Sequence, residues 1–139
     1  MQTIAIILFN LLIFWNWGGV SPQFHFKSSS VSSDKYIAQI NLYQKHDKLL
    51  EVASSFYNGS DQNMDIDYNL LVTKSGHSSS SSNQSGNFGV KSRMQIVLSK
   101  ITVNLNKDDL YKIKLEVFNK NQLIAEDSAS FYGDKITQN

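Results

Sequence analysis

The sequence predicts an all-β domain in which about seven antiparallel strands stack as two sheets. Three observations lead there. Apolar residues recur at every second position in one short run after another, clusters of Asn, Asp, Gly and Lys separate the runs, and nothing after Lys27 repeats at helical spacing. A length of 139 residues suits one domain around one core. A content of 20 Ser, 13 Asn and 9 Gln would describe a disordered chain if evenly spread, but the 41% hydrophobic fraction argues that part of it packs. Zero cysteine excludes disulfides, thiol nucleophiles and thiolate metal sites. A formal charge of +1 gives no global attraction to nucleic acid.

The first element lies outside the sandwich. No Lys, Arg, Asp or Glu precedes Lys27, and Ile4 to Trp17 is almost unbroken apolar surface, followed by Gly18-Gly19-Val20-Ser21-Pro22. Residues 1–22 therefore read as a secretory signal peptide, with Gly19-Val20-Ser21 offering small residues for cleavage. Against this, Met1-Gln2-Thr3 supplies only the terminal amine as positive charge, and Pro22 would follow the cut. A buried amino-terminal element and an uncleaved anchor are the alternatives. Residues 23–34, with five serines from Ser28 to Ser33, read as a flexible lead-in.

Residues 35–133 carry the alternation. Tyr36, Ala38, Ile40 and Leu42 form one face of a first strand; Leu50, Val52, Ser54 and Phe56 of a second; Ile66, Tyr68, Leu70 and Val72 of a third. Phe88 and Val90 mark a short fourth strand, with Phe88 anchoring it. Met94, Ile96 and Leu98 open a fifth that Ile101, Val103 and Leu105 continue out of phase, so a bulge is expected near Ser99-Lys100. Tyr111, Ile113, Leu115 and Val117 make the sixth, and Leu123 to Tyr132 a seventh whose Asp127 and Ser128 mark an edge or a bulge. The turns fall at His46-Asp47, Asn58 to Asp61, Asn106 to Asp109 and Asn119 to Asn121. Seven strands at this spacing favour a seven-stranded immunoglobulin-like β-sandwich over a barrel.

Two segments refine that expectation. Asp109-Leu110-Tyr111-Lys112-Ile113 places a Tyr at a strand start, where immunoglobulin-like domains tuck the ring under a corner and bond its hydroxyl to backbone. The alternative is a plain inward aromatic. Ile113 then stands where antibody domains carry a disulfide cysteine. From Ser75 to Gly86 the chain has no apolar surface to bury, so it reads as a flexible serine-rich loop; the Lys-Ser or Lys-Thr of a phosphate loop is missing.

Catalytic chemistry finds little support. His25, His46 and His77 lie in the lead-in, a turn and the serine segment, without metal-ligand or triad spacing. No enzymatic activity, cofactor or metal is expected. Charge distribution says more. Lys91, Arg93, Lys100 and Lys107 occur with no intervening acid, and Lys112 and Lys114 share the face opposite Tyr111 and Ile113. Lys91, Arg93, Lys100, Lys112 and Lys114 are thus candidates for one basic outer face that meets acidic clients, the alternative being an ordinary solvated sheet.

A set of short elements carries a resemblance. Tyr68-Asn69-Leu70-Leu71-Val72 leads into Lys74-Ser75-Gly76; Gln84-Ser85-Gly86-Asn87-Phe88 follows, then Leu98-Ser99-Lys100-Ile101-Thr102-Val103-Asn104-Leu105, Asp109-Leu110-Tyr111 and Leu115-Glu116-Val117. This order resembles the CsgC/CsgH family, small periplasmic chaperones of the curli amyloid secretion system, over about Asp65 to Ser128. The CsgC branch carries a Cys-x-Cys pair; a chain without cysteine looks nearer the CsgH branch and has no thiol–disulfide role. The resemblance implies a periplasmic immunoglobulin-like domain that binds unfolded, Asn/Gln-rich curli-type subunits and restrains their polymerisation, with other curli secretion components as further partners. Nucleic acid is not among them, and a membrane enters only through an uncleaved amino terminus. A structural or adhesive module of a surface or matrix complex, extracellular or membrane-anchored, is the alternative.

Overall fold

The computed structural model describes residues 23–24, 35–46 and 48–136. The signal peptide expected at residues 1–22, and the expected lead-in apart from Gln23 and Phe24, lie outside the described residues. In chain order the strands are β1 (Gln23–Phe24), β2 (Tyr36–His46), β3 (Leu49–Asn58), β4 (Met64–Ser75), β5 (Ser80–Val90), β6 (Gln95–Asn104), β7 (Leu110–Asn119) and β8 (Gln122–Tyr132), followed by a 3₁₀ turn at Gly133–Lys135. The seven long strands match in number and order those the alternation predicts, with β5 running well beyond the short strand expected at Phe88 and Val90. β1 is a short addition, with Gln23 and Phe24 opposite Tyr43 and Leu42.

All pairings are antiparallel, and the strands divide into two four-stranded sheets, β1-β2-β3-β6 and β5-β4-β7-β8. The chain crosses between sheets after β3, β5 and β6, so strands distant in sequence lie side by side. This two-sheet arrangement is compatible with the immunoglobulin type.

The core follows from the period-two pattern. Leu42, Leu50, Val52, Phe56, Ile66, Leu70, Ile113, Leu115 and Val117 are almost completely buried between the sheets. Their pattern neighbours Lys112, Lys114, Asp65 and Asp67 are exposed on the outer face. Ile113 sits opposite Val72 on one side and Ala129 on the other, and is buried as an apolar plug.

The phase switch in β6 is a real bulge, one residue earlier than expected. Ser54 pairs with Ser99 while Ser55 pairs with Val97, so Leu98 is the extra residue. Leu98, which is buried, and Ser99, which is partly buried, both turn towards the core side, where the Ser99 hydroxyl meets that of Ser54 at 2.6 Å. The bulge therefore keeps Ile101 and Val103 opposite the buried Val52 and Leu50.

β8 is an edge strand, as Asp127 and Ser128 indicate, and its register shifts beside Phe118. Asp127 is buried and accepts the backbone N–H of Ile40 on β2 at 2.8 Å, tying one sheet to the other. A charged acceptor for a buried edge amide is a strong form of such a tie.

One expectation of the strand pattern needs correction. The serine-rich segment is not a loop along its length: from Ser80 it is strand, paired with β4 without a break from Lys74↔Ser80 to Met64↔Val90. The turn is confined to residues 76–79. Hydrogen bonding to β4 supplies the order that apolar burial does not, because an edge strand needs a partner on one side only. Phe88, expected to anchor the return strand, is 37% exposed. It lies on the inner face opposite Ile66 but at the sheet margin, where its ring stacks on Tyr68 at 5.9 Å.

Candidate binding surfaces

One end of the sandwich is closed by Tyr111. Its ring is fully buried and stacks on Phe131, with centroids 5.4 Å apart. The hydroxyl donates to the Asn104 carbonyl at 2.7 Å and accepts the Asn106 N–H at 2.8 Å. The corner expectation holds in both parts: buried ring, and hydroxyl bonded to backbone a few residues upstream.

Beside it lies a group that the sequence marks only as part of a turn and of the Asp109-Leu110-Tyr111 element. Asp109 is completely buried; its Oδ1 accepts the His77 amide at 3.0 Å, and its Oδ2, without a hydrogen bond, faces the Lys74 ammonium at 3.2 Å. Burial opposes ionisation of this carboxyl, but the His77 amide and the Lys74 charge outweigh it, and its pKa lies below the ordinary 3.8. Gly76 completes the arrangement at φ +148°, where an added Cβ would run into Asp109 Oδ1. Lys74-Ser75-Gly76 and Asp109-Leu110-Tyr111, far apart in sequence, thus meet in one structural node. The sequence-level signal was their joint occurrence, not any spacing.

The opposite end is organised by Asn58, which is also buried. Its Nδ2 donates to the carbonyls of Gln62, Val90 and Lys91 at 2.9, 3.2 and 3.3 Å, and its Oδ1 accepts the amide and hydroxyl of Ser60. Its backbone reaches Met94 and Arg93. One side chain so fixes the β3–β4 and β5–β6 connections, around an open depression of about 1170 Å³ whose rim includes Lys35, Asp61, Asp65, Lys91, Arg93 and Lys120. Mixed charge and a wide mouth make this a surface hollow without a preference for either sign.

The five candidate cations do not share one face. Lys112 and Lys114 stand on the outer face of β7, opposite Thr73 and Leu71 of β4. Lys100 lies on the outer face of the other sheet, opposite Ala53. Lys91 and Arg93 belong to the loop end. The cause is topological: β6 and β7 are consecutive but lie in different sheets, so their outer faces point in opposite directions. Two of the five are also engaged, Arg93 with Asp61 at 2.6 Å and Lys114 with Glu116 at 3.6 Å. Among the described residues no ion pair holds Lys91, Lys100 or Lys112.

Nor do the described residues bring together a group of three or more His, Asp or Glu suited to a metal. No helix among them is long and apolar enough to cross a membrane. His77 is exposed, 3.9 Å from Asp108.

The molecule is thus a two-sheet β-sandwich with a tyrosine-closed corner and exposed edge strands. Solved structures of the same fold include the curli protein CsgC of E. coli, with TM-score 0.55 and 20% identity over 69% of this chain and 97% of that one. CsgH of R. palustris aligns with TM-score 0.54 and 12% identity over 75% of this chain and 99% of that one. A Bacteroides uniformis β-glucuronidase aligns over 13% of its length with TM-score 0.46. No family model and no curated protein matches the sequence.

Proposed function

We propose that this protein is a non-enzymatic, periplasmic binding domain that holds amyloid-forming curli-type subunits and delays their polymerisation during curli biogenesis. The observation that carries the reading is the fold: two curli proteins align over 97% and 99% of their own length, so the likeness spans their whole domain. The Gln84 to Phe88 and Leu98 to Asn104 elements support it independently, since they resemble the same family in sequence. They fall on β5 and β6, the two strands at one margin of the sandwich.

Physically, the protein acts at an early step. Amyloid grows when a chain adds in cross-β form to an exposed template, so brief capture of an unfolded subunit or fibril end slows growth below equimolar ratio. Lys91, Lys100 and Lys112 give diffuse attraction from several sides instead of one basic face. That raises encounter rates more than affinity and weakens as salt shortens the screening length to about 10 Å at 0.1 M.

The test follows the polymerisation of a curli-type subunit at increasing sub-stoichiometric ratios and two salt concentrations. The expected result is a lag that lengthens with ratio and shortens with salt. A lag unchanged at every ratio and salt refutes the reading.

A further inference from the structure

The edges of the sandwich are not equivalent. A sheet edge exposes unpaired N–H and C=O groups, and proteins blunt such edges with bulges, charges, proline or brevity. β1 has two residues. β6 is bulged at Leu98 and carries Lys100. β8 has a register shift, carries Glu126 and Asp127, and reaches across to β2 through Asp127. β5 has none of these devices. It is eleven residues long, Ser80–Val90, and pairs with β4 without a register shift. No Lys, Arg, Asp, Glu or Pro occurs between Lys74 and Lys91.

Its side chains specify what could pair there. On the outer face Ser81, Asn83, Ser85 and Asn87 form a row of hydroxyls and amides, opposite Thr73, Leu71, Asn69 and Asp67. On the inner face Gln84 stands opposite Leu70, and Phe88 opposite Ile66. The Phe88 ring stacks on Tyr68 and remains 37% exposed. A strand added to β5 would continue both rows, with amides and hydroxyls outside and an aromatic ring in line with Phe88. Amide ladders and stacked rings are the contacts that hold strands in cross-β assemblies.

We propose that β5 is the docking edge, and that it accepts by β-strand addition an extended, uncharged Asn/Gln/Ser-rich segment with an aromatic residue at an inward position. The inference rests on the subunit binding proposed above and names the contact. Main-chain hydrogen bonds provide the affinity, and the two rows provide the preference. Such an edge occupies a growing strand's pairing groups while the protein's other faces offer no continuous template, so docking ends growth in that direction.

The experiment uses the full chain and a capped synthetic peptide of Asn, Gln and Ser around one Tyr, followed by amide NMR and hydrogen exchange. Added peptide should slow exchange in Ser80–Gly89. The double variant Ser82→Lys/Gln84→Lys, which turns two charges inward at this edge, should bind about tenfold more weakly. Ser130→Lys, on β8, should bind as the parent does. Protection on β6 or β8 instead of β5 overturns the assignment. So does protection of β5 that rises with protein concentration alone, which identifies a second copy as the occupant. Should the double variant not fold, the amide map of the parent decides by itself. The polymerisation assay separates the two claims: a parent and a folded double variant that delay growth equally overturn the edge and leave the function, whereas a parent without delay overturns the function and the peptide map still decides the edge.

Discussion

Replacing Tyr111 by Phe removes one oxygen from the corner and leaves the ring. The buried ring and its stacking on Phe131 stay, so apolar burial is nearly constant. Lost are the 2.7 Å bond to the Asn104 carbonyl and the 2.8 Å bond from the Asn106 amide. Each net hydrogen bond contributes roughly 0.5–1.5 kcal/mol, so the expected loss is about 1–3 kcal/mol. The upper half applies if the two backbone groups stay dry, the lower if water reaches them. Urea unfolding of parent and variant measures this as a lower midpoint at unchanged slope. For a domain of this size the melting temperature should fall by about 5–15 °C. A variant within about 0.3 kcal/mol of the parent would show that the hydroxyl contributes no net stability, and the corner argument would fail.

Asn58→Ala should destabilise by about 2–4 kcal/mol, because it orphans three carbonyls at the loop end; chemical unfolding would measure it, and a loss below about 1 kcal/mol would remove Asn58 from its organising role. Gly76→Ala should cost about 1–3 kcal/mol through its positive φ and the approach of Asp109, checked by thermal melting against Ser78→Ala as a silent control. Since the folded-state pKa of Asp109 lies below the ordinary 3.8, its contribution is complete above that range and is lost as pH falls through 3.8 towards the folded value. The stability difference between the parent and Asp109→Asn should therefore be flat from neutral pH down to about pH 5 and shrink below it; a difference that grows on acidification contradicts the sign. Lys100→Glu and Lys112→Glu should each shorten the polymerisation delay at low salt and by similar amounts, although they lie on opposite outer faces; a loss confined to one of them would mean a single basic contact face.

What the residues disclose depends on how locally each feature is encoded. Alternation is local, so six of the seven long strands, the end of β5 at Phe88 and Val90, and the bulge within β6 were legible from Tyr36 onward, and so was the Tyr111 corner from its position at a strand start. Order in the serine stretch was not. Ser80 to Ser85 has no apolar face, and what orders it is the pairing of those backbone groups with Lys74 to Asn69, which is a long-range fact. The same limit scattered the basic residues. Lys100 and Lys112 are twelve positions apart in sequence, but the chain changes sheets between β6 and β7 and turns their faces away from each other. Asp109 was seen only as part of a turn and of a resembling motif, because its partners Lys74 and His77 arrive from another connection.

A sandwich without cysteine needs other means to register its sheets, and polar side chains inside or at the ends of the core provide them here. Ile113 fills space between Val72 and Ala129 but has no directional preference. Direction comes from Asp127 bonded to the Ile40 amide across the sheets, from Tyr111 bonded to the segment that ends β6, and from Asn58 bonded to two connections at the far end. Each crosses a gap that apolar packing alone would leave free to slide, and each is costly to break because it leaves a buried group unpaired. Asn58 meets β5 at the strand's last residue, Val90. The best-registered parts of the molecule therefore surround its most open edge, and the rigidity of β4 and β7 beneath β5 is what would let that edge accept a strand without being drawn into the partner's own assembly.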